Sequence, residues 1–272
     1  MKVHFFNKKL FLQFSKFALA FTSIVALLLA FVDFDAQVRI YMGIGFLCLL
    51  VLLYISMFIA SNKLSRVKVR INGNNVSIFY GDIFKQSDIK VIPFNEYFDT
   101  KVDDKIISHA SLNGKFIDNH FKDVYDLDRI ISTNEHMNKC MHERVKRNCG
   151  KNIRYELGSI CSVDEYFILA FSHFDENNRA TLTTEEYLSC LIHMWNEIDI
   201  LYALKSVSLP LLGDGITRFK DNVLTSQELL NYILLSLKLS KIQFKSSINI
   251  VLTQATHEKI NLFSIKEVWN NV

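Results

Sequence analysis

Two long apolar runs open the chain, and short alternating ones follow them. Ile40–Ala60 (IYMGIGFLCLLVLLYISMFIA) contains no charged residue. As a helix rising about 1.5 Å per residue it covers roughly 30 Å, the thickness of a bilayer core. Phe17–Val32 is as apolar but shorter; it reaches that length when Leu10–Ser15 join it and Lys16 snorkels to the interface. The connection Asp33–Arg39 is short, so the pattern predicts two antiparallel membrane helices. After Arg66 the period changes to two. Val67, Val69 and Ile71 alternate with Lys68 and Arg70, Asn72–Asn75 supplies turn chemistry, and Val76, Ile78 and Tyr80 alternate again. This is the signature of a β-hairpin. Further strands are predicted at Ile89–Pro93, Tyr166–Phe171, Ser206–Leu209 and Ser247–Leu252, and helices at Phe116–Phe121 and Leu127–Asn138. Two capping boxes, Thr183–Glu186 and Thr225–Glu228, start longer helices. The first carries the apolar stripe Leu188, Leu191, Ile192, Trp195, Ile198 and Tyr202; the second runs to about Leu239. A last helix is predicted at Leu262–Trp269. Strands alternating with helices indicate an α/β layered domain.

Charge orients the hairpin. Lys2, Lys8, Lys9 and Lys16 precede or enter the first run and Lys63, Arg66, Lys68 and Arg70 follow the second; the connection carries Asp33, Asp35 and Arg39. The positive-inside bias puts both ends in the cytoplasm. A cleavable signal peptide is the competing reading of the first run, with Lys8 and Lys9 as its basic end. No small-x-small cleavage site follows the apolar core, whereas a second span does. Ala18, Thr22, Ala26 and Ala30 recur every four residues along one helix face, a spacing that lets helices approach closely in lipid. The expected division is a cytoplasmic N-terminus at 1–11, a two-helix hairpin at 12–61 and one soluble domain at 65–272.

Half of the 272 residues are hydrophobic, as two spans require, and the formal net charge of +3 offers no global field for nucleic acid. Cys48, Cys140, Cys149, Cys161 and Cys190 form no C-x-x-C pair and read as reduced thiols. His136, Cys140 and His142 make an H-x-x-x-C-x-H cluster, but zinc wants recognisable pairs of ligands and no second pair lies near in sequence, so no metal is expected. Asp175, Asn177, Thr181 and Glu186 imitate a calcium loop that fails at Arg179 and Ala180. His193, beside an apolar helix face, reads as a core or boundary histidine. The basic stretch Lys139–Arg154 reads as a solvated face, with anionic headgroups or ligand phosphates as the functional alternative.

Three tripeptides share one placement at the ends of strands: Gly81-Asp82-Ile83, Pro93-Phe94-Asn95 and Gly213-Asp214-Gly215. Glycine turns there let backbone N–H groups converge on an anion, and the crevice beyond strand C-termini is where α/β sheets bind ligands. Each tripeptide alone is as compatible with a plain turn.

Together they resemble the macro domain, a three-layer α/β/α fold with a mixed sheet that binds ADP-ribose. GDIFKQSDIKVIPFN (Gly81–Asn95) is similar to its opening and PLLGDGI (Pro210–Ile216) to its phosphate loop. More specifically, NEYFDT (Asn95–Thr100), SHASLNGKFI (Ser108–Ile117) and SLPLLGDGITRF resemble the macro-containing effectors of Thoeris anti-phage systems, which carry two transmembrane helices ahead of the macro domain. The resemblance implies an inner-membrane protein with a cytoplasmic sensor, switched on by an ADP-ribose-derived signal that a partner TIR-domain enzyme makes from NAD. It places Asp82 on the adenine amine, Ile83 on the adenine edge, Asn95 at the distal ribose, and Gly213, Asp214, Gly215 and Ile216 around the diphosphate. Ser111-Leu112-Asn113-Gly114 replaces the run of glycines usual after the Asn, which points to a modified distal group; Asn113 belongs to the same ligand set. No cofactor or nucleic acid is expected. The expected partners are the nucleotide signal, membrane lipid and further copies of the chain, assembling to disrupt the membrane. The alternative is a membrane-tethered ADP-ribosyl hydrolase, for which the sequence offers no evident carboxylate–histidine pair.

Overall fold

The computed structural model describes residues 3–32 and 34–270. Lys2 and Asp33, which the charge reading counts, lie outside the described residues. Asn7 starts the first helix, α1 (Lys8–Leu29), by accepting hydrogen bonds from the Lys9 and Leu10 N–H groups. The second, α2 (Ala36–Asn62), begins before the uncharged run and continues two residues past it. They are antiparallel: Phe21 stacks on Phe46 at 5.7 Å and Phe14 meets Tyr54 edge-on at 5.1 Å. Phe17, Leu27, Ile44 and Leu52 point outward and α2 buries no residue. A helix apolar on all sides needs an apolar surrounding. Both helices are long and apolar enough to cross a membrane.

The hairpin β1 (Arg66–Ile71) and β2 (Asn74–Tyr80) turns through Asn72 and Gly73, both at positive φ (48° and 84°), the backbone that a two-residue hairpin loop demands. A 3-10 turn at Ile83–Lys85 leads to β3 (Ile89–Asn95). The helices α3 (Leu112–His120), α4 (Val124–Thr133) and α5 (Glu135–Lys139) follow, then a ribbon of β4 (Met141–Arg144) and β5 (Ile153–Tyr155). The remainder is β6 (Ile160–Val163), β7 (Tyr166–Phe174), β8 (Ala180–Leu182), α6 (Thr184–Leu201), β9 (Val207–Pro210), β10 (Arg218–Phe219), α7 (Ser226–Ser240), β11 (Ile248–Leu252), α8 (Gln254–Lys259) and α9 (Leu262–Trp269).

The main sheet is ordered β1-β2-β11-β9-β3-β7-β8-β10, with β6 also paired to β7. It is mixed: β2, β11, β9, β3 and β7 run parallel, while β1, β6 and β8 pair antiparallel to their neighbours. Alternation along the central strands makes three layers. Phe167, Leu169 and Phe171 of β7 face a core shared with α6, α7 and α9, whereas Tyr166, Ile168 and Ala170 face one shared with α3, α4 and α5. This is the α/β/α architecture expected from the sequence.

Several boundaries differ from expectation. The predicted helix Leu127–Asn138 is two helices, because the Asn134 side chain accepts from the His136 and Met137 N–H groups and restarts the chain as α5. The helix predicted at Phe116 begins at Leu112, capped by Ser111; Gly114 is required there, since a Cβ would fall 2.1 Å from the Ser108 carbonyl oxygen. Lys139–Arg154 is not simply a solvated face. Arg147 turns inward and only 10% of its side chain is exposed.

Candidate ligand-binding site

Because β2, β11, β9 and β3 are parallel, their C-terminal ends share one edge of the sheet. Gly81-Asp82-Ile83 leaves β2, the 211–217 loop leaves β9, and Asn95 ends β3. At about 4.8 Å per strand, Asp82 and Asn95 begin roughly 14 Å apart with the glycine loop between them.

Asp82 is exposed, and its carboxylate accepts from the Phe84 N–H at 3.0 Å, which caps the 3-10 turn. The remaining lone pairs of that carboxylate are free to take a ligand N–H. Ile83 is buried against Phe79 and Val251, beside partly buried Phe84 and Leu112. Asn113 is half-buried at the start of α3 and accepts from Ser111 Oγ at 2.6 Å.

Gly213 has φ +90°, a conformation that strains any residue with a Cβ, and a Cβ there would come within 3.2 Å of Leu229. Asp214 does not point into the crevice. Its carboxylate accepts from Ser226 Oγ at the start of α7 and from Thr256 Oγ1 in α8. The buried Tyr187 hydroxyl donates to the Leu212 carbonyl at 2.9 Å. The loop is thus tied from behind to α6, α7 and α8. Among the described residues no group accepts from the N–H of Gly213, Gly215 or Ile216, so these donors stay available to an anion. Gly215 has open space where a Cβ would stand, and Ile216 is exposed.

Asn95 is 2% exposed, and both ends of its amide are hydrogen-bonded. Oδ1 accepts from the Tyr97 and Asp99 N–H groups at 3.0 and 3.2 Å, and Nδ2 donates to Asp99 Oδ2 at 3.0 Å. Asp99 in turn accepts from Arg147 Nη1 at 2.9 Å and the Lys151 N–H at 2.6 Å. The Arg147 guanidinium lies 3.8 Å above the Tyr97 ring. The side chain that the resemblance aims at a distal ribose therefore turns inward, as the hub of a buried network behind the crevice.

The sequence reading missed a group at the same end of β3 and β7. Glu96 is 3% exposed and meets His173 Nδ1 at 2.5 Å and Arg154 Nε at 3.7 Å; His173 Nε2 stands 3.5 Å from Glu186. The hydrogen bond to Glu96 raises the His173 pKa above its ordinary 6.5, against the opposing effect of burial. Nothing local announces this pair, because its members lie 77 positions apart.

A family model described as Thoeris protein ThsA, Macro domain, matches residues 76–253. The chain belongs to the ThsA macro-domain family. It is 39% identical over 254 residues to the Thoeris protein ThsA of Bacillus amyloliquefaciens (strain Y2), covering 91% of this chain and 85% of that one. More distant in sequence are solved structures of the Oceanobacillus iheyensis macrodomain. A mutant of it with ADPR has 16% identity and a TM-score of 0.48, covering 75% of this chain and 98% of that one. The same macrodomain with ADP has 15% identity and a TM-score of 0.45, covering 75% and 96%. The chain is thus a ThsA-family macro-domain protein preceded by two helices able to span a membrane.

Proposed function

We propose that this protein is a membrane-anchored defence effector whose macro domain senses an ADP-ribose-derived signal made by a TIR-domain partner, and whose hairpin disrupts the membrane once several chains assemble. The observation that carries the reading is the alignment of the Asp82 turn, the amide-presenting 211–217 loop and the Asn95 segment at one sheet edge, in a chain that also bears an apolar helical hairpin. The adenine end belongs at Asp82 and Ile83, the diphosphate at the loop amides. The hairpin's basic flanks put both termini in the cytoplasm.

Contiguous contacts link crevice and hairpin. Asp214 in the loop accepts from Thr256 of α8. The chain continues directly into α9, whose Phe263 is buried with Val3 and Leu10 and packs near Tyr54, Met57 and Phe58 of α2. A ligand that repositions the loop therefore acts on the element that seats the hairpin. It shifts assembly only by binding the assembled state better than the resting one.

Calorimetry on the fragment beginning at Ser65 tests the sensor. ADP-ribose conjugates should bind, and Asp82→Ala should weaken them by about 1–3 kcal/mol through loss of a hydrogen bond to a buried amine. Unchanged affinity would remove Asp82 from the site. The hydrolase is the second reading, favoured by the Glu96–His173 pair near the distal end. Under the sensor reading the signal is recovered intact after long incubation; its steady conversion, lost in His173→Gln, would establish the hydrolase.

A further inference from the structure

His136 on α5 and Cys140, the residue that caps its end, stand one helical turn apart, so both occupy one face. A second pair with the same spacing, His193 and Glu197, lies on α6. The fold turns these two faces toward each other across β6. The ligand atoms of His136, Cys140 and Glu197 all lie within 4.8 Å of one another. His136 Nε2 is 2.5 Å from Glu197 Oε2 and 3.8 Å from Cys140 Sγ, and His193 Nε2 is 4.0 Å from Glu197 Oε1. Glu197 is 5% exposed on a helix face that otherwise buries Met194, Trp195 and Ile198. A carboxylate in that position is costly unless strongly paired. His142, the third member of the cluster in sequence, is exposed on β4 and takes no part.

We propose that His136, Cys140 and Glu197 bind a zinc ion, with His193 as the fourth ligand. Thiolate, imidazole and carboxylate together are a zinc donor set and do not suit calcium or magnesium. Tetrahedral zinc separates a nitrogen from a sulfur ligand by about 3.6 Å and from an oxygen ligand by about 3.4 Å. The imidazole–thiol distance of 3.8 Å already fits. The 2.5 Å imidazole–carboxylate contact is bridged by a proton. Exchanging that proton for zinc opens it by about 0.9 Å, a small rotation for a half-exposed imidazole. His193 Nδ1 lies 2.8 Å from the Leu157 carbonyl. A carbonyl only accepts, so Nδ1 carries a proton, which leaves Nε2 as the nitrogen that can take zinc. The Ser159 hydroxyl is fully buried and has no hydrogen-bond partner among the described residues. It lies beside the Cys140 thiol, where a thiolate ligand would accept from it.

The site brackets the start of β6, where the Ile160 N–H donates to Glu197 Oε2 at 3.3 Å, and four protein ligands leave no open position, so its role is to hold structure. It clasps α5 to α6, and the segment between α5 and β6 carries Arg147 and Lys151, which hold Asp99 and through it Asn95. Zinc would fix the wall behind the distal end of the crevice. This inference does not rest on the proposed ligand.

Full-length protein in detergent, reduced and stripped with chelator, is titrated with zinc. Expected are one zinc per chain and a rise in Tm, both lost in Cys140→Ser. Cobalt gives an independent reading: a thiolate-to-cobalt charge-transfer band that vanishes in Cys140→Ser and persists in Cys149→Ser. Ser159→Ala leaves all four ligands in place and should weaken zinc by about tenfold or more. Should the variants fold poorly, alkylation of the native protein decides, with zinc protecting Cys140 and leaving exposed Cys149 reactive. Zinc content well below one per chain, or equal alkylation of Cys140 with and without zinc, overturns the proposal and leaves His136 and Glu197 as a hydrogen-bonded staple.

Discussion

Replacing Asp99 by alanine should cost far more than a typical ion pair. Asp99 is 1% exposed, and its carboxylate satisfies three donors: Arg147 Nη1 at 2.9 Å, the Lys151 N–H at 2.6 Å and Asn95 Nδ2 at 3.0 Å. Arg147 has 10% of its side chain exposed, so water cannot replace the lost carboxylate fully. Breaking one side of a buried pair leaves an uncompensated charge and costs about 3–5 kcal/mol, whereas a surface pair costs about 0–1 kcal/mol. Denaturant unfolding of the fragment from Ser65 measures the difference. The double variant Asp99→Ala/Arg147→Met removes both charges and should recover part of the loss. Asp99→Ala should also weaken ligand binding, because Asn95 and the 95–100 segment lose their anchor. A stability loss below about 1 kcal/mol would refute the reasoning, since it would mean that Arg147 reaches water.

Other expectations follow from the same contacts. The His173 pKa is raised by Glu96, so the pair's stabilisation is fully present below about pH 6.5 and fades as pH rises through the raised value; unfolding of wild type and His173→Gln across that range should converge at high pH. Ala26→Leu adds bulk to the small-residue face and should block ligand-driven crosslinking of full-length protein while leaving the affinity of the soluble fragment unchanged. Reporter fusions at Gln37 and at the C-terminus should read external and cytoplasmic respectively; the reverse pair of readings would end the topology.

What could be read from sequence was local. Both capping boxes lie where they were predicted, because four residues make the whole motif. Leu262–Trp269 and the β1–β2 hairpin were legible for the same reason: periodicity and a turn that needs Asn-Gly. The strands β4, β5, β6, β8 and β10 are two to four residues long, too short for alternation to register. Long-range charge pairs left no trace. Arg147 meets Asp99 across 48 positions, so a run of basic residues looked solvated when one member was structural. His136 and Glu197 are 61 positions apart, so their contact leaves no local trace either, although the His136–Cys140 spacing is visible. In the crevice, the strand-end placement of Asp82, Asn95 and Gly213–Ile216 was legible, but the directions of Asn95 and Asp214 were not. Those depend on Asp99, Ser226 and Thr256, which come from other elements.

Dye release from proteoliposomes tests whether ligand binding to the macro domain opens the membrane. Full-length protein is reconstituted in sealed vesicles and exposed to the product that a TIR-domain enzyme makes from NAD. Release should begin on adding that product, be absent with NAD alone, and shift to higher ligand concentration in Asp82→Ala. Release that starts without the product, or tight binding of the product with the vesicles remaining sealed, would contradict the coupling of macro domain to hairpin.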